Sequence, residues 1–299
     1  MKIYSKWEEI PNKLASEEIV EGCIVLEGGA WRGIYTQGVL DAMMEHGLNM
    51  QTTVGVSAGA MSGISYVSGQ IGRSAKINLK YRLDQNYCGY KAMIEDHGIT
   101  GFTYFFNELS NLIPLNEDRF NDSRRRFIAV ATNIETGKAE YFENGKCSDI
   151  QKAIQASATV PYVSKPVEID GKLYLDGGIA DKVPYEFALK EGFEKIVVVR
   201  TRDKKYRKTF KKPVKLIDLE YKKYLNLRHQ LLNETPKYNL LLDRMDVLEA
   251  QGRMFVIAPS EPLNVRRFEN DMEKLGYLYE LGYKDAMNQM DDLIAYLKK

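Results

Sequence analysis

Residues 23–33 read CIVLEGGAWRG, and this stretch decides the fold of the chain. A short apolar run meets a cluster of glycines, and apolar residues at helical spacing follow it as far as Gly47. Residues 52–59, TTVGVSAG, repeat the pattern, because a second apolar run ends at a glycine–serine turn before another helix. Strand, turn and helix, twice in succession, predict an α/β unit, and right-handed crossovers make its two strands parallel.

Segments further along the chain predict more strands of the same sheet. Residues 125–134 and 138–145 flank a turn and predict a β-hairpin. Residues 173–178, LYLDGG, end a short strand at a glycine turn. Residues 195–200, KIVVVR, are a continuous apolar run, which is typical of a central parallel strand. The predicted fold class is therefore α/β with a mixed, largely parallel central sheet.

The character of the sequence changes after residue 200. Residues 200–215 hold nine Lys or Arg against a single Asp, and amphipathic helices follow, with one more predicted strand at residues 254–259, MFVIAP. We predict two parts: a sheet-centred core over residues 20–200, and a mostly helical C-terminal extension over residues 201–299 that packs on the core.

Composition excludes several classes of protein. The 42 Lys and Arg nearly equal the 41 Asp and Glu, which argues against a dedicated nucleic-acid binder. Three cysteines, Cys23, Cys88 and Cys147, make a poor disulfide framework and fit a reducing compartment. No CxxC or HExxH spacing is present, so we expect neither a metal nor another cofactor. The charged start and the lack of a long apolar run predict a cytoplasmic protein.

The pattern Gly55-Val56-Ser57-Ala58-Gly59 lies between an apolar strand and a helix. A serine at such a tight turn takes a strained backbone, and small neighbours avoid clashes. The turn lifts the hydroxyl above the sheet and points the following amides at a developing oxyanion. Ser57 is therefore a candidate nucleophile, with Gly55, Ala58 and Gly59 shaping the elbow (residues 55–59). A structural glycine–serine turn is the alternative.

Residues 28–33, GGAWRG, form a second strand-to-helix turn, which we call the glycine loop. Consecutive glycines let backbone N–H groups converge on an anion, and the dipole of the following helix adds to the attraction. The spacing differs from GxGxxG, and no Gly-Lys-Ser/Thr follows, which disfavours a nucleotide. An oxyanion hole is the more economical hypothesis, because it gives the loop and Ser57 one shared purpose.

A nucleophilic serine needs a base. His46, His97 and His229 each lie in a setting typical of a structural or exposed histidine. Asp176, in the run LDGG at the end of a short strand, could instead take the Ser57 proton directly. An ordinary Asp-Gly turn is the alternative interpretation.

In this order, GGAWRG, GVSAG and DGG resemble the three motif blocks of the patatin-like phospholipase family, which uses a Ser–Asp dyad. Residues 131–137, ATNIETG, and residues 156–166, ASATVPYVSKP, are similar to further family segments. The resemblance covers about residues 20–200 and implies a three-layer patatin-like fold.

The resemblance also implies a role for each motif. Ser57 would be the nucleophile and Asp176 its base. The oxyanion hole would come from the amides of the glycine loop with help from its arginine and last glycine, that is, from Gly28, Gly29, Ala30, Arg32 and Gly33. The family loop often has a third successive glycine where this chain has Ala30; the N–H survives that change, but the methyl group restricts φ.

The implied function is that of a serine lipid acyl hydrolase, a phospholipase A-like esterase, acting on a phospholipid or another acyl ester. Two alternatives stay open at this point. One is a small-ester or thioester hydrolase with the same dyad, and the other is a catalytically silent lipid- or partner-binding protein.

The basic stretch after residue 200 raises the question of membrane contact. Its cations alternate with aromatic residues, a pattern that could dock peripherally on an anionic membrane surface, although a solvated loop is the alternative. The residues concerned are Lys204, Lys205, Tyr206, Arg207, Lys208, Phe210, Lys211 and Lys212.

Overall fold

The computed structural model describes residues 2–209 and 220–299 of the chain. Ten strands occur in the described residues: β1 (Lys13–Leu14), β2 (Val20–Leu26), β3 (Met50–Val56), β4 (Gln70–Ile71), β5 (Arg126–Asn133), β6 (Ala139–Glu143), β7 (Val167–Ile169), β8 (Lys172–Asp176), β9 (Ile196–Val199) and β10 (Phe255–Ile257).

The main helices surround these strands. In chain order they are α1 (Gly33–Glu45), α2 (Ala58–Val67), α3 (Arg73–Tyr81), α4 (Tyr90–Glu95), α5 (Phe102–Tyr104), α6 (Ser110–Leu112), α7 (Glu117–Phe120), α8 (Ile150–Ser157), α9 (Tyr185–Lys190), α10 (Leu225–Ala250), α11 (Met272–Asn288) and α12 (Met290–Lys298).

Eight strands form one sheet in the order β10-β9-β2-β3-β5-β8-β7, with β6 paired to β5, while β1 and β4 form a small separate sheet. The five strands from β10 to β5 are mutually parallel, and β6, β7 and β8 join antiparallel. This confirms the predicted fold class. The predicted hairpin forms as the antiparallel pair β5–β6.

The register of β2 and β3 places the two predicted turns side by side. Leu26, near the end of β2, pairs with Gly55 of β3. The glycine loop and the elbow therefore leave the same carboxyl edge of the sheet, where ligands of parallel α/β sheets commonly bind.

Alternating residues of the central strands fill two separate cores. Ile24 and Leu26 of β2 face the cluster that contains α1, whereas Cys23 and Val25 face the opposite cluster. Because every second residue of a strand points to the same side, apolar runs such as that of β2 are buried on both faces. The result is a three-layer arrangement with helices on both sides of the sheet.

The C-terminal unit, residues 201–299, contributes to all three layers. Its strand β10 extends the sheet in parallel beside β9. Leu281 of α11 and Met290 of α12 join the core on the α1 face. Leu242 and Met245 of α10 join the core on the opposite face, together with residues of α9. The C-terminal unit thus supplies the edge strand at one end of the sheet and packs helices against both of its faces.

Three cations of the basic stretch form ion pairs within the described residues. Their partners lie on α10: Glu249 for Lys204 (2.5 Å), Asp243 (2.7 Å) and Asp246 (2.5 Å) for Arg207, and Glu234 for Lys208 (2.6 Å). These acids neutralise part of the charge on which the membrane hypothesis depends. Phe210, Lys211 and Lys212, which belong to the same hypothesis, lie outside the described residues.

Candidate active site

Ser57 lies at the junction of β3 and α2, where the tight turn between them gives it a strained backbone conformation. Its φ is 55° and its ψ is −122°, an unusual region for a residue with a side chain. The flanking glycines are required by space: a Cβ at Gly55 would lie 2.6 Å from the Ala60 nitrogen, and one at Gly59 would lie 2.4 Å from the Leu26 oxygen. The GxSxG spacing therefore follows from the packing of the elbow.

The backbone N–H of Ser57 donates a hydrogen bond to the hydroxyl of Ser157, at 2.8 Å. Ser157 is the last residue of α8 and is completely buried. Its role was missed in the sequence: the segment of residues 156–166 was noted for its family resemblance, but nothing in it shows that this serine reaches an amide 100 residues away. The elbow is thereby fixed by a residue of the core itself.

Asp176 ends β8, and its backbone N–H donates to the carbonyl of Thr159 at 2.8 Å. One carboxylate oxygen accepts the N–H of Gly178 at 2.8 Å. Burial raises the pKa of Asp176, and a side-chain hydrogen bond with Ser57 is the largest of the effects that lower it again. The Ser57 hydroxyl and the Asp176 carboxylate therefore lie near each other.

The glycine loop runs directly against the elbow. A Cβ at Gly28 would lie 3.2 Å from Ser57 Cβ, and one at Gly33 would lie 2.7 Å from Ala58 Cβ. Ala30 has a φ of 49°, in the left-handed region that favours glycine. A residue with a side chain costs about 1–2 kcal/mol in this region, which is a physical reason for glycine here in the related family.

The N–H groups of the glycine loop differ in what they bind. Gly28 N–H donates to the carbonyl of Lys182 at 3.3 Å, and Arg32 N–H donates to the carbonyl of Gly29 at 3.2 Å. Gly33 N–H donates back within the turn that begins at Ala30. Within residues 2–209 and 220–299, the N–H groups of Gly29, Ala30 and Trp31 donate to no acceptor. These three donors are therefore available to a ligand.

Arg32 is buried beneath the glycine loop, with 7% of its surface exposed. Burial, and next the charge of Arg202, lower the pKa of its guanidinium to about 10, while Glu27 raises it. The group therefore stays charged at neutral pH. Its Nε has no hydrogen-bond partner in the part of the chain that the structure describes.

An open pocket lies beside Ser57. Apolar side chains dominate its walls, which include Trp31 and Ile34 from the glycine-loop side and Met61 from α2. Tyr87 and Phe268 also line it. The hydroxyl of Ser57 thus meets an apolar space that is suited to a hydrocarbon chain.

The three histidines lie elsewhere. His46 follows α1, with its Nδ1 2.9 Å from the carbonyl of Ala42. The His97 carbonyl accepts the N–H of Lys165, and His229 lies within α10. None of the three lines the cavity beside Ser57.

Two further features were sought in the described residues. They contain no group of three or more His, Cys, Asp or Glu side chains that could hold a metal ion. Among the helices of those same residues, none is both long and apolar enough to cross a membrane.

Residues 24–189 match the family model described as patatin-like phospholipase, and residues 224–298 match a domain of unknown function, DUF6363. Among curated proteins, the chain is 26% identical to "Uncharacterized protein YjjU" of Escherichia coli (strain K12), over 87% of this chain and 74% of that protein. It is 25% identical to "Probable lipid hydrolase 463L" of Invertebrate iridescent virus 6, over 75% of this chain and 82% of that protein.

A solved structure also shares the architecture. The crystal structure of VipD from Legionella pneumophila matches with a TM-score of 0.50 and 15% identity, over 98% of this chain and 71% of that chain. At this level of identity the likeness concerns the fold alone.

Proposed function

Since this chain belongs to the patatin-like phospholipase family, we propose that it is a serine lipid acyl hydrolase of the phospholipase A type, working with a Ser57–Asp176 dyad. The observation that carries the proposal is the meeting of three parts at one point. Ser57, in a strained backbone conformation, lines an apolar pocket; Asp176 lies near its hydroxyl, and the glycine loop with its free N–H groups packs against it.

In the first step, Ser57 Oγ attacks the acyl carbonyl while its proton passes to the Asp176 carboxylate. The oxyanion is stabilised by the N–H groups of Gly29 and Ala30, since the N–H of Gly28 already donates to Lys182. The ester C–O bond then breaks, and Asp176 returns the proton to the leaving alcohol. Water attacks the acyl-enzyme in the same way, releasing the fatty acid and restoring Ser57.

The remaining glycine-loop residues have supporting roles in this proposal. Gly28 keeps the loop close to Ser57 because it has no side chain, and Gly33 does the same against Ala58. Arg32 adds a buried positive charge beneath the loop, which favours a developing negative charge above it. The proposal assigns no step to a metal or to an organic cofactor.

The cavity beside Ser57 is proposed as the acyl-chain site. Its apolar walls favour a long hydrocarbon chain over a short one, because each buried CH₂ contributes about 0.8 kcal/mol. Rates on p-nitrophenyl esters of increasing chain length, compared with release of fatty acid from phospholipid vesicles, test this assignment. Ser57→Ala is the control for background hydrolysis. A preference for the shortest esters with no phospholipid turnover would favour the small-ester or thioester hydrolase instead.

The division of the chain is also a proposal: a catalytic core over residues 20–200 and a C-terminal extension over residues 201–299. The separate matches of residues 24–189 and 224–298 support it. We further propose a cytoplasmic location, which the three free cysteines support.

Peripheral contact with an anionic membrane surface remains part of the proposal. Because α10 already pairs three cations of the basic stretch, we expect weak binding that salt abolishes. Sedimentation with anionic and with zwitterionic vesicles, at low and at high salt, measures it. Equal sedimentation under all four conditions would remove membrane docking from the proposal.

A further inference from the structure

The start of the glycine loop is fixed by residues of the C-terminal unit. Glu27, the residue before the loop, is completely buried. One of its carboxylate oxygens accepts the backbone N–H of Thr201 at 2.6 Å and the Thr201 hydroxyl at 3.1 Å. The other accepts the hydroxyl of Tyr238, on α10. A buried carboxylate is costly without donors, and the three donors found among the described residues all come from beyond residue 200.

The body of the loop packs against Thr201 directly and is linked to Tyr238 through Lys182. A Cβ at Gly29 would lie 2.5 Å from Thr201 Oγ1, so the Thr201 side chain lies against the backbone of Gly29. The Lys182 ammonium lies 4.8 Å from the centre of the Tyr238 ring, and the carbonyl of Lys182 holds the N–H of Gly28. Burial and Glu27 both raise the pKa of Tyr238, so its hydroxyl remains a donor.

The last residue of the loop, Gly33, begins α1, and α11 packs closely against that helix. The backbones of the two helices approach each other closely where they cross. A Cβ at Gly38 would lie 2.1 Å from the backbone carbonyl oxygen of Tyr279, and one at Gly282 would lie 2.0 Å from the backbone carbonyl oxygen of Tyr35. A hydrogen bond from Tyr279 to Asp41, at 2.9 Å, adds a polar contact to the crossing. Such close packing leaves α1 little freedom to shift.

Resting on the proposed function, we propose that the C-terminal unit positions the glycine loop for catalysis. At the start of the loop, Tyr238 and Thr201 act through their hydrogen bonds to Glu27. At its end, α11 acts through its packing against α1. Tyr238 and Thr201 are positioning residues, because they reach the reacting atoms only through the loop. The nucleophile has a separate support, since the hydroxyl of Ser157 in the core accepts the backbone N–H of Ser57.

The test is Tyr238→Phe, which removes the hydroxyl donor to Glu27 and keeps the ring. Tyr185→Phe is the matched control, because the buried Tyr185 hydroxyl also bonds α10, at the Leu241 carbonyl (2.9 Å), but does not touch the loop. Thr201→Val is a second variant that removes the other side-chain donor to Glu27 at nearly constant shape. Hydrogen exchange followed by mass spectrometry is measured for peptides covering residues 28–33 and 55–59.

We expect Tyr238→Phe and Thr201→Val to speed exchange of the bonded amides of Gly28, Arg32 and Gly33 by about tenfold while the elbow peptide is unchanged. Tyr185→Phe should leave both peptides unchanged. In turnover assays, kcat should fall by about 10- to 100-fold at constant KM, since displaced donors weaken only the transition state. Affinity for an oxyanion-forming trifluoromethyl ketone should fall in parallel, which a loss of stability alone would not cause.

Unchanged exchange in the loop peptide of both variants overturns the inference, as does an equal effect of Tyr185→Phe. These results are independent of turnover. A wild-type protein that hydrolyses no acyl ester would refute the proposed function, whereas the exchange data would still decide whether the C-terminal unit positions the loop.

Discussion

The glycine loop and the elbow each follow a buried parallel strand, and each leads directly into a helix. They differ in what surrounds them. The elbow is held by its own glycines, which touch Ala60 and Leu26, and by the hydroxyl of Ser157. The glycine loop is held by Thr201 and, through Glu27, by Tyr238, both far along the chain.

The difference separates two parts of the proposed chemistry. The nucleophile is positioned by residues that lie inside the segment matching the patatin-like family. The oxyanion donors are positioned in part by residues outside that segment. A change in the C-terminal unit can therefore weaken transition-state stabilisation without moving Ser57.

The largest expected effect comes from breaking the elbow side. Ser57→Ala removes the attacking oxygen, and its small side chain suits the turn. Asp176→Asn keeps an oxygen that can accept the N–H of Gly178 but cannot take the Ser57 proton. Each should lower kcat/KM by roughly 10³-fold or more with the fold intact. Kinetics with circular dichroism as a folding control measure this; appreciable hydrolysis by either variant contradicts the dyad.

A smaller effect is expected from Ser157→Ala, which removes the acceptor of the Ser57 N–H. A buried N–H left without a partner costs about 1–3 kcal/mol, so we expect about a tenfold fall in kcat. Hydrogen exchange should become faster in the elbow peptide and stay constant in the glycine-loop peptide, which is the opposite of the result expected for Tyr238→Phe. Ser62→Ala, which loses a hydroxyl bonded to Ala58 within α2, is the control. Faster exchange of the glycine loop in Ser157→Ala would show that the two turns are not held separately.

The α1–α11 crossing adds a pH dependence of stability on the side of the glycine loop. Burial raises the pKa of Asp41 to about 7, while hydrogen bonds from Gly72 and Tyr279 lower it. Between the unfolded value near 4 and this folded value, the folded protein binds one more proton, so stability falls as pH rises. Asp41→Asn should remove this slope, about 1.4 kcal/mol per pH unit, in urea unfolding between about pH 4 and 7. An unchanged slope in the variant would locate the titration elsewhere.

The smallest effect is expected from replacing the histidines. If the dyad is complete, a protein carrying His46→Gln, His97→Gln and His229→Gln loses less than about tenfold in kcat/KM. Burial raises the pKa of Asp176, and only its carboxylate form accepts a proton, so activity should rise with pH above the ordinary carboxyl range. That acidic limb should persist without histidines. Its disappearance would assign the titration to an imidazole.

The motifs of the core could be predicted because each depends on short-range geometry. A strained turn needs small neighbours at fixed spacing, so GVSAG is visible in the sequence, and the parallel order of β2 and β3 follows from the two apolar runs. The proximity of Ser57 and Asp176 could be proposed from the sequence, but an ordinary Asp-Gly turn stayed an equal alternative until the family resemblance was considered, because nothing local joins residues so far apart.

The supports of the glycine loop could not be predicted in the same way. Glu27, Thr201 and Tyr238 are single polar residues on separate elements, and only the folded chain brings them together. The hydrogen bond from the Gly28 N–H to the carbonyl of Lys182 also joins residues that are far apart in the sequence. The ion pairs of the basic stretch were only weakly indicated by the sequence. Asp243, Asp246 and Glu249 recur at helical spacing on α10 and so share one face of that helix.

The central claim is that Ser57 is the nucleophile, and labelling by a fluorophosphonate probe tests it most directly. Intact-mass and peptide mass spectrometry of the full chain should show one adduct, on Ser57, in the wild-type protein and none in Ser57→Ala. Labelling of Asp176→Asn should be slowed in proportion to its loss of turnover, because both reactions need the same base. An active wild-type protein that stays unlabelled, or that carries the adduct on another residue, would contradict the account.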